Sequence, residues 1–215
     1  MNIDVLCVGH ASYDLIFSID HHPMADEKIS ASGFIGMGGG PAANAAVTVA
    51  KLGFKAAYAG YLGLDIYGEH HYRELLETGV HSDLIIRANS PTPLSTVLVK
   101  PDGQRALINY KGETKALPIN AIDFSAITAK VVLFDGHEPQ LSLALLEQRQ
   151  NKSIISVLDA GSLHDGTLAL MHKVDYLVCS EKFAIQYAGT IEVALQRLAE
   201  TVSYTHLTLP TICSV

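Results

Sequence analysis

The sequence predicts an α/β fold: an open, mostly parallel sheet with helices on both faces, together with a small antiparallel β lid. Short β-branched and apolar runs alternate with helical patterns along most of the chain, which is typical of parallel strands joined by crossover helices. Residues 95–99 and 105–110 break this rhythm, because they alternate in polarity around a turn that contains Pro101 and Gly103. Such a pattern predicts an antiparallel hairpin.

The order of the remaining elements follows from hydrophobic periodicity and from residues that favour helix boundaries. Apolar strands are predicted at residues 5–8, 56–59, 131–134, 154–158 and 176–179. Helices are predicted at residues 41–52, 66–78, 141–150, 167–172 and 191–201. Pro41 suits a first helical position, and Gly53 and Gly79 suit helix ends. Residues 15–19 and 29–34 are expected to pair in antiparallel fashion and to extend the lid.

Composition, charge and cysteine usage exclude several classes of protein. The 215 residues suit one α/β domain, and 48% apolar with 17% charged residues predicts a globular fold. With 15 Lys and Arg against 22 Asp and Glu, the net charge of -7 leaves no basic face for nucleic acid. No apolar run could span a bilayer and no signal peptide precedes the first strand, so no membrane partner is expected. Three distant cysteines, with no CxxC pair, favour a cytoplasmic location: Cys7, Cys179 and Cys213.

A glycine-rich stretch ahead of a predicted helix is the strongest local signal. The stretch Gly38-Gly39-Gly40-Pro41-Ala42-Ala43-Asn44 is expected to be a loop that leads into the helix. Consecutive glycines let the backbone approach a polar ligand, and the helix start offers unpaired N–H groups. A flexible turn before a buried helix is the alternative. No Lys-Ser or Lys-Thr follows in the spacing of a Walker loop, and Pro41 replaces the third glycine of a dinucleotide-binding motif.

Two pairs of adjacent histidines, His21-His22 and His70-His71, do not predict a metal site. Neighbouring side chains on a strand or helix point in different directions, and no third ligand accompanies either pair. We therefore expect these histidines to be solvated and no metal to be bound by them.

Four motifs occur in a fixed order along the chain. They are Val8-Gly9 with Asp14, the glycine-rich stretch continuing to Gly53, residues 63–68 continuing to Val80, and Asp135-Gly136-His137-Glu138-Pro139. In order and spacing they resemble the PfkB carbohydrate kinase family, over residues 1 to about 201. The glycine-rich stretch and residues 105–110 are most similar to the branch that contains sulfofructose kinase and relatives of ketohexokinase. The resemblance implies a ribokinase-like fold, a small-molecule sugar as substrate, and ATP and Mg²⁺ as cofactors of the intact enzyme.

The resemblance also implies a first set of substrate-binding residues. Asp14 matches a family aspartate whose carboxylate accepts hydrogen bonds from two sugar hydroxyls, although a helix or turn cap is the alternative. Gly39 and Gly40 match backbone that closes over the sugar. Asn44 matches an amide that both donates to and accepts from a hydroxyl, and a plain helix-start Asn is the alternative.

A second set is placed on other elements. Glu138 follows a predicted strand at the edge where open α/β sheets bind ligands, and it matches a family sugar contact. Asn109 on the hairpin is a candidate to face the sugar from the lid, with an exposed strand residue as the alternative. Where the family has an Asn-x-x-Glu motif, this chain has Ser180-Glu181-Lys182-Phe183, so Ser180 and Glu181 are the candidate cofactor-binding residues. The departure leaves the organisation of magnesium open.

The family's Gly-Ala-Gly-Asp stretch, which supplies the catalytic aspartate and an anion hole, is absent from these 215 residues. We therefore assign no catalytic residue. Residues 1–201 are expected to be the N-terminal portion of a ribokinase-like domain whose C-terminal part is missing, with lid strands within about 12–36 and 94–112. Residues 202–215 lack clear periodicity and resemble a translated sequencing adapter, so we expect a foreign or divergent tail and an unpaired edge on strand 176–179.

These observations favour an ATP-dependent carbohydrate kinase that phosphorylates a hydroxyl of a ketose-like sugar. The chain is expected to be an inactive N-terminal fragment that carries the sugar-binding half. A nucleoside kinase of the same family and a non-catalytic sugar-binding or regulatory protein are the alternatives. A nucleoside would favour aromatic lid residues, for which Phe34 and Tyr110 are the candidates. A homodimer through the β lid stays open.

Overall fold

The computed structural model describes residues 2–148, 154–200 and 204–208. Seven strands of this part form one sheet in which every pairing is parallel. They are β1 (Asn2–Val8), β4 (Ala56–Gly63), β5 (Ile85–Ala88), β8 (Thr128–Phe134), β9 (Ile155–Ala160), β10 (Tyr176–Ser180) and β11 (Tyr204–Thr208). Their order across the sheet is β11-β10-β9-β8-β1-β4-β5.

Helices cover both faces of this parallel sheet. They are α1 (Pro41–Lys51), α2 (Ile66–Glu77), α3 (Pro139–Gln148), α4 (Asp165–Leu170), α5 (Glu181–Ala188) and α6 (Ile191–Ala199). Successive side chains of a strand point to opposite faces, and β1 accordingly gives Leu6 to one core cluster and Cys7 to the other. Ala43 of α1 packs in the Cys7 cluster, and Leu141 of α3 packs in the Leu6 cluster. The predicted α/β class is confirmed.

A separate four-stranded sheet, called the lid below, comprises β2 (Ser12–Ser18), β3 (Gly33–Gly39), β6 (Leu94–Val99) and β7 (Arg105–Tyr110). Its order is β3-β2-β6-β7. The predicted hairpin is confirmed, because β6 and β7 pair antiparallel and the Gly103 N–H donates to the Lys100 carbonyl at 2.9 Å. The lid is mixed rather than antiparallel, however, since β2 and β6 run parallel.

The β6–β7 hairpin is anchored to the parallel sheet at one place. The Asp65 carboxylate, which caps α2, accepts the Thr92 N–H at 2.7 Å and the Thr92 hydroxyl at 2.8 Å. Burial favours a raised pKa for Asp65, but the N–H groups of Gly68 and Thr92 outweigh it and hold that pKa below its ordinary value. Thr114, beyond β7, donates its hydroxyl to the Pro91 carbonyl at 2.6 Å. The chain thus enters and leaves the hairpin at neighbouring points.

Several predicted boundaries are wrong. The strand expected at 29–34 is β3, and it includes Gly38 and Gly39, which were expected in a loop. The helix expected at 167–172 is α4, two residues earlier at each end. Helix α3 begins at Pro139, and the end expected at 150 lies outside the described residues. The short elements β5 and α5 were not predicted.

The expected open edge on β10 is also wrong. Strand β11 pairs with β10 in parallel, from Tyr176 opposite Tyr204 to Ser180 opposite Thr208, so the backbone of β10 is paired on both sides. Residues 201–203 and 209–215 lie outside the described residues, and the foreign origin of 202–215 stays a prediction. No helix in the described ranges combines the length and the apolar character that a bilayer crossing needs.

Candidate functional site

The candidate site lies where the lid joins the carboxyl end of β1. Gly39 pairs with Ser12 across β2 and β3, and a Cβ built on Gly39 would overlap the Asp14 carboxylate. Asn44 is exposed in the first turn of α1, where its N–H donates to the Gly40 carbonyl at 2.9 Å. The structure therefore brings together four predicted site residues: Asp14, Gly39, Gly40 and Asn44.

Asp14 is a half-buried strand residue and not a helix or turn cap. The Ser12 hydroxyl donates to Asp14 Oδ1 at 3.0 Å. Within the described ranges, the Asp14 carboxylate accepts no second hydrogen bond from the protein. Its remaining lone pairs can therefore accept hydrogen bonds from a ligand. Two ligand hydroxyls are the kind of donor that such a carboxylate can accept.

Gly40 needs the conformational freedom of glycine. Its φ of 97° lies in the left-handed region, and it occupies the N-cap of α1 without a side chain. A Cβ there would lie 2.5 Å from the His10 carbonyl oxygen and 2.6 Å from the Ala11 Cα. The close approach of these two backbone segments shapes the start of α1, and any larger residue would separate them.

Helix α2 contacts the end of β3 and fixes its position. Glu74 Oε2 accepts the Gly38 N–H at 2.7 Å, and a Cβ on Gly38 would overlap the ring of His71. His71 is buried, so the expectation that it is solvated is wrong, and burial lowers its pKa to about 4. No sequence motif marks Glu74 or His71 as positioning residues, so their role could not be predicted from the sequence.

Asp135 joins three segments at the carboxyl edge of the sheet. This buried carboxylate accepts the N–H groups of His10 at 2.8 Å, Ala42 at 3.1 Å and His137 at 2.9 Å. Burial raises the pKa of Asp135, and the three N–H groups counteract that shift. Asp135 belongs to one of the four sequence motifs, but the motif alone predicts no role for it. The structure shows that it fixes the loop after β1 against the start of α1.

Glu138 lies behind the site at the start of α3. Only 6% of the residue is exposed, and Oε2 accepts the Leu117 N–H at 2.6 Å. Burial raises its pKa to about 7 from 4.5, and the charge of Asp135 adds to the shift. The carboxylate thus ties the segment after the lid to α3, and its predicted contact with a sugar stays a prediction.

We expect Glu138→Gln to stabilise the fold at high pH. Since the folded-state pKa is raised, the buried charge costs stability increasingly as the pH rises from 4.5 to about 7. A neutral Gln that still accepts the Leu117 N–H removes this cost, on the order of 2 kcal/mol at pH 8 and near zero at pH 4. Urea denaturation at both pH values measures it, with exposed Glu147→Gln as the control. Equal effects at pH 4 and pH 8 would contradict it.

Asn109 lies on the same face of the lid as Asp14. The register places Asp14 opposite Ser95, and Ser95 opposite Asn109, so the three side chains share one face. Two strand spacings separate Asp14 from Asn109, about 10 Å. Asn109 is exposed, in keeping with either predicted role.

Ser180 and Glu181 lie apart from the other predicted residues. Strand β10 is three positions from β1, about 14 Å across the sheet. The Ser180 hydroxyl accepts the Phe183 N–H at 3.0 Å and donates to the Gly161 carbonyl at 2.8 Å, as the N-cap of α5. Its hydrogen-bonding capacity therefore serves the fold. Glu181 begins α5 and is half-buried.

The family implies Mg²⁺, which proteins usually bind through one or two carboxylates and the phosphates of the substrate. Within 2–148 and 154–200, no three His, Cys, Asp or Glu side chains cluster as metal ligands would. His21 pairs with Glu27 at 2.8 Å, and the ring of His70 lies near that of Tyr13.

The architecture and the site together define a class of protein. An open parallel sheet that carries candidate ligand-binding residues at the carboxyl ends of its strands, with a second small sheet attached there, is the ribokinase-like α/β fold. The profile of the pfkB family of carbohydrate kinases matches residues 2–205. The chain belongs to this family.

Relatives of known sequence include sugar and nucleoside kinases. The ribokinase of Arabidopsis thaliana is 26% identical over 212 residues, which cover 94% of this chain and 56% of that protein. The nucleoside kinase of Methanothermobacter thermautotrophicus is 31% identical over 114 residues, which cover 52% of this chain and 37% of that protein. The chain thus spans little more than half the length of the first relative and less of the second.

Solved structures show the same fold. Ribokinase from Giardia lamblia superposes with a TM-score of 0.82 at 18% identity, over 96% of this chain and 70% of that one. Ribokinase of Arabidopsis thaliana, complexed with ribose and ATP, gives a TM-score of 0.76 at 23% identity, over 97% and 72%. At these identities the likeness concerns the fold.

Proposed function

We propose that the chain is the sugar-binding part of an ATP-dependent carbohydrate kinase that phosphorylates a hydroxyl of a ketose-like sugar. The observation that carries the proposal is the Asp14 carboxylate, which lies against Gly39 with acceptor capacity to spare. Gly40 and Asn44 supply backbone and amide groups beside it. Membership of the family supports ATP as the phosphoryl donor.

The lid favours a sugar over a nucleoside. Phe34 pairs with Phe17 and Tyr110 pairs with Leu94, which places both aromatic rings on the face of the lid opposite Asp14. A base attached to a sugar at Asp14 would not stack on either ring. The sulfofructose kinase and ketohexokinase-like branch stays a proposal that rests on the glycine-rich stretch, since the relatives named above are ribokinases and a nucleoside kinase.

Calorimetry with the 215-residue chain tests this function. We expect saturable binding of fructose or ribose and none of adenosine. Tighter binding of adenosine would favour the nucleoside alternative. We also propose that these 215 residues alone do not transfer phosphate, because they contain no Gly-Ala-Gly-Asp stretch. Sugar phosphate formed from ATP above a protein-free control would contradict that part.

We also propose a homodimer through the lid. Five large apolar side chains of the lid are more than half exposed: Phe34, Ile35, Leu107, Ile108 and Tyr110. The register places Phe34, Ile108 and Tyr110 on one face of the lid, and Ile35 and Leu107 on the other. Apolar side chains exposed on both faces of a small sheet favour its burial against a second copy. Sedimentation equilibrium at micromolar concentration tests the assembly, and a monomer would rule it out.

A further inference from the structure

Three histidines form a row along the carboxyl edge of the parallel sheet. His10 follows β1, His137 follows β8 and His164 follows β9, and these three strands are neighbours. The ring centroids are 5.0 Å apart between His10 and His137, and 4.8 Å apart between His137 and His164. These distances match the spacing of paired strands, about 4.8 Å, so each strand contributes one ring to a continuous row. We call His10, His137 and His164 the histidine row.

The three histidine residues are half-buried, and their rings are uncharged at pH 7. Burial lowers the pKa of His10 to about 3 and that of His137 to about 4, and it lowers the pKa of His164 as well. Each imidazole is therefore neutral at pH 7 and carries one N–H donor and one acceptor. Among the described residues, the ring nitrogens of His10 and His137 make no hydrogen bond to the protein.

A single lysine places positive charge near the whole row. Lys111 follows β7 directly and is exposed. Burial is the largest cause of the lowered pKa values of His10, His137 and His164, and the Lys111 ammonium is a smaller cause for all three. Lys111 also acts to lower the pKa of Glu138. Asp135 and Asp165 are the negative charges that act on His164, and Asp135 already accepts three backbone N–H groups.

We propose that the histidine row and Lys111 bind an anionic substituent, a carboxylate or a phosphate, on the acceptor sugar. The proposal deepens the proposed function and rests on it. Neutral imidazole N–H groups can donate to oxyanion oxygens, and the ammonium supplies the charge. The preferred acceptor is then a sugar acid or a sugar phosphate rather than a neutral sugar.

The position of the row indicates that the bound anion belongs to the acceptor sugar and not to the nucleotide. The His10 carbonyl accepts the Ala43 N–H at 3.4 Å and lies against Gly40, so His10 belongs to the backbone that shapes the sugar site. Lys111 comes two residues after Asn109, and Asn109 lies on the same face of the lid as Asp14. The two ends of the anion site are thus built from the segments that form the candidate sugar site.

Direct binding to the 215-residue chain tests the proposal. The probes are ribose, ribose 1-phosphate, gluconate and inorganic phosphate, measured by calorimetry at pH 7.5. We expect ribose 1-phosphate to bind about tenfold tighter than ribose, and Lys111→Met and His137→Gln each to remove most of this difference while ribose affinity is kept. Exposed His172→Gln and Lys115→Met are matched controls and should change neither affinity.

The outcomes separate this inference from the proposed function. If ribose binds and ribose 1-phosphate and gluconate bind no more tightly, the anion site is wrong while the sugar site stands. If inorganic phosphate competes with ATP but not with ribose, the row serves the nucleotide and the inference is overturned. If no sugar binds at all, the proposed function fails first. A salt-dependent preference for the anionic probes that is lost in both variants supports the inference.

Discussion

Asp135→Ala is expected to cost about 4 kcal/mol of folding free energy, a large share of the 5–15 kcal/mol typical of a domain. The substitution leaves the buried N–H group of Ala42 and the partly buried N–H groups of His10 and His137 without their acceptor. Each orphaned donor costs roughly 1–3 kcal/mol, and the lost contacts are not additive because all three share one carboxylate. Urea denaturation followed by circular dichroism measures the change.

Two further variants sharpen this test. Asp135→Asn keeps one carbonyl oxygen, so we expect a smaller loss than for alanine. Asp83→Ala, at an exposed position, is the matched control and should stay within about 0.5 kcal/mol of the parent. A loss for Asp135→Ala no larger than that of the control would show that the three N–H groups find other acceptors.

Asp14→Ala is expected to weaken sugar binding by about 2–5 kcal/mol, equivalent to roughly 30- to 5000-fold in Kd. The carboxylate would lose charge-assisted hydrogen bonds to two hydroxyls, whereas its bond with Ser12 has little weight in the fold. The affinity for ATP should change little. Calorimetry with the sugar that binds the parent chain measures the effect, and Asp20→Ala, exposed just beyond β2, is the control. Unchanged sugar affinity would remove Asp14 from the site.

The sequence predicted the parallel sheet because its signals are local. Apolar runs, Pro41 at the first position of α1 and glycines at helix ends act over a few residues. The missed helix α5 has such signals as well, since Ser180 caps its start and Gly189, with a φ of 83°, ends it. Its eight residues give little room for a helical period, although α4, with six residues, was predicted. Strand β5 has only four residues, which is short even for a strand.

Long-range contacts account for most of what was missed. The parallel pairing of β2 with β6 joins segments about 80 residues apart, and nothing in either strand specifies that partner. The motif could place Asp14, Gly39 and Gly40 near one another, but the contacts that hold them come from Glu74 on α2 and from Asp135 after β8. The histidine row arises only because three strands distant in sequence are neighbours in the sheet.

The anchoring of the lid sets how it can move. It is held at three places near one end, where His10 meets Gly40, where the Gly38 N–H meets Glu74 of α2, and where Thr92 meets Asp65. Asp14 and Asn109 lie within a few residues of these contacts, whereas the turn at Gly103 lies at the far end of β6, six residues or about 20 Å away. A small sheet fixed at one end bends most at its free end, so the tip of the hairpin can be displaced while the groups that face the ligand keep their positions.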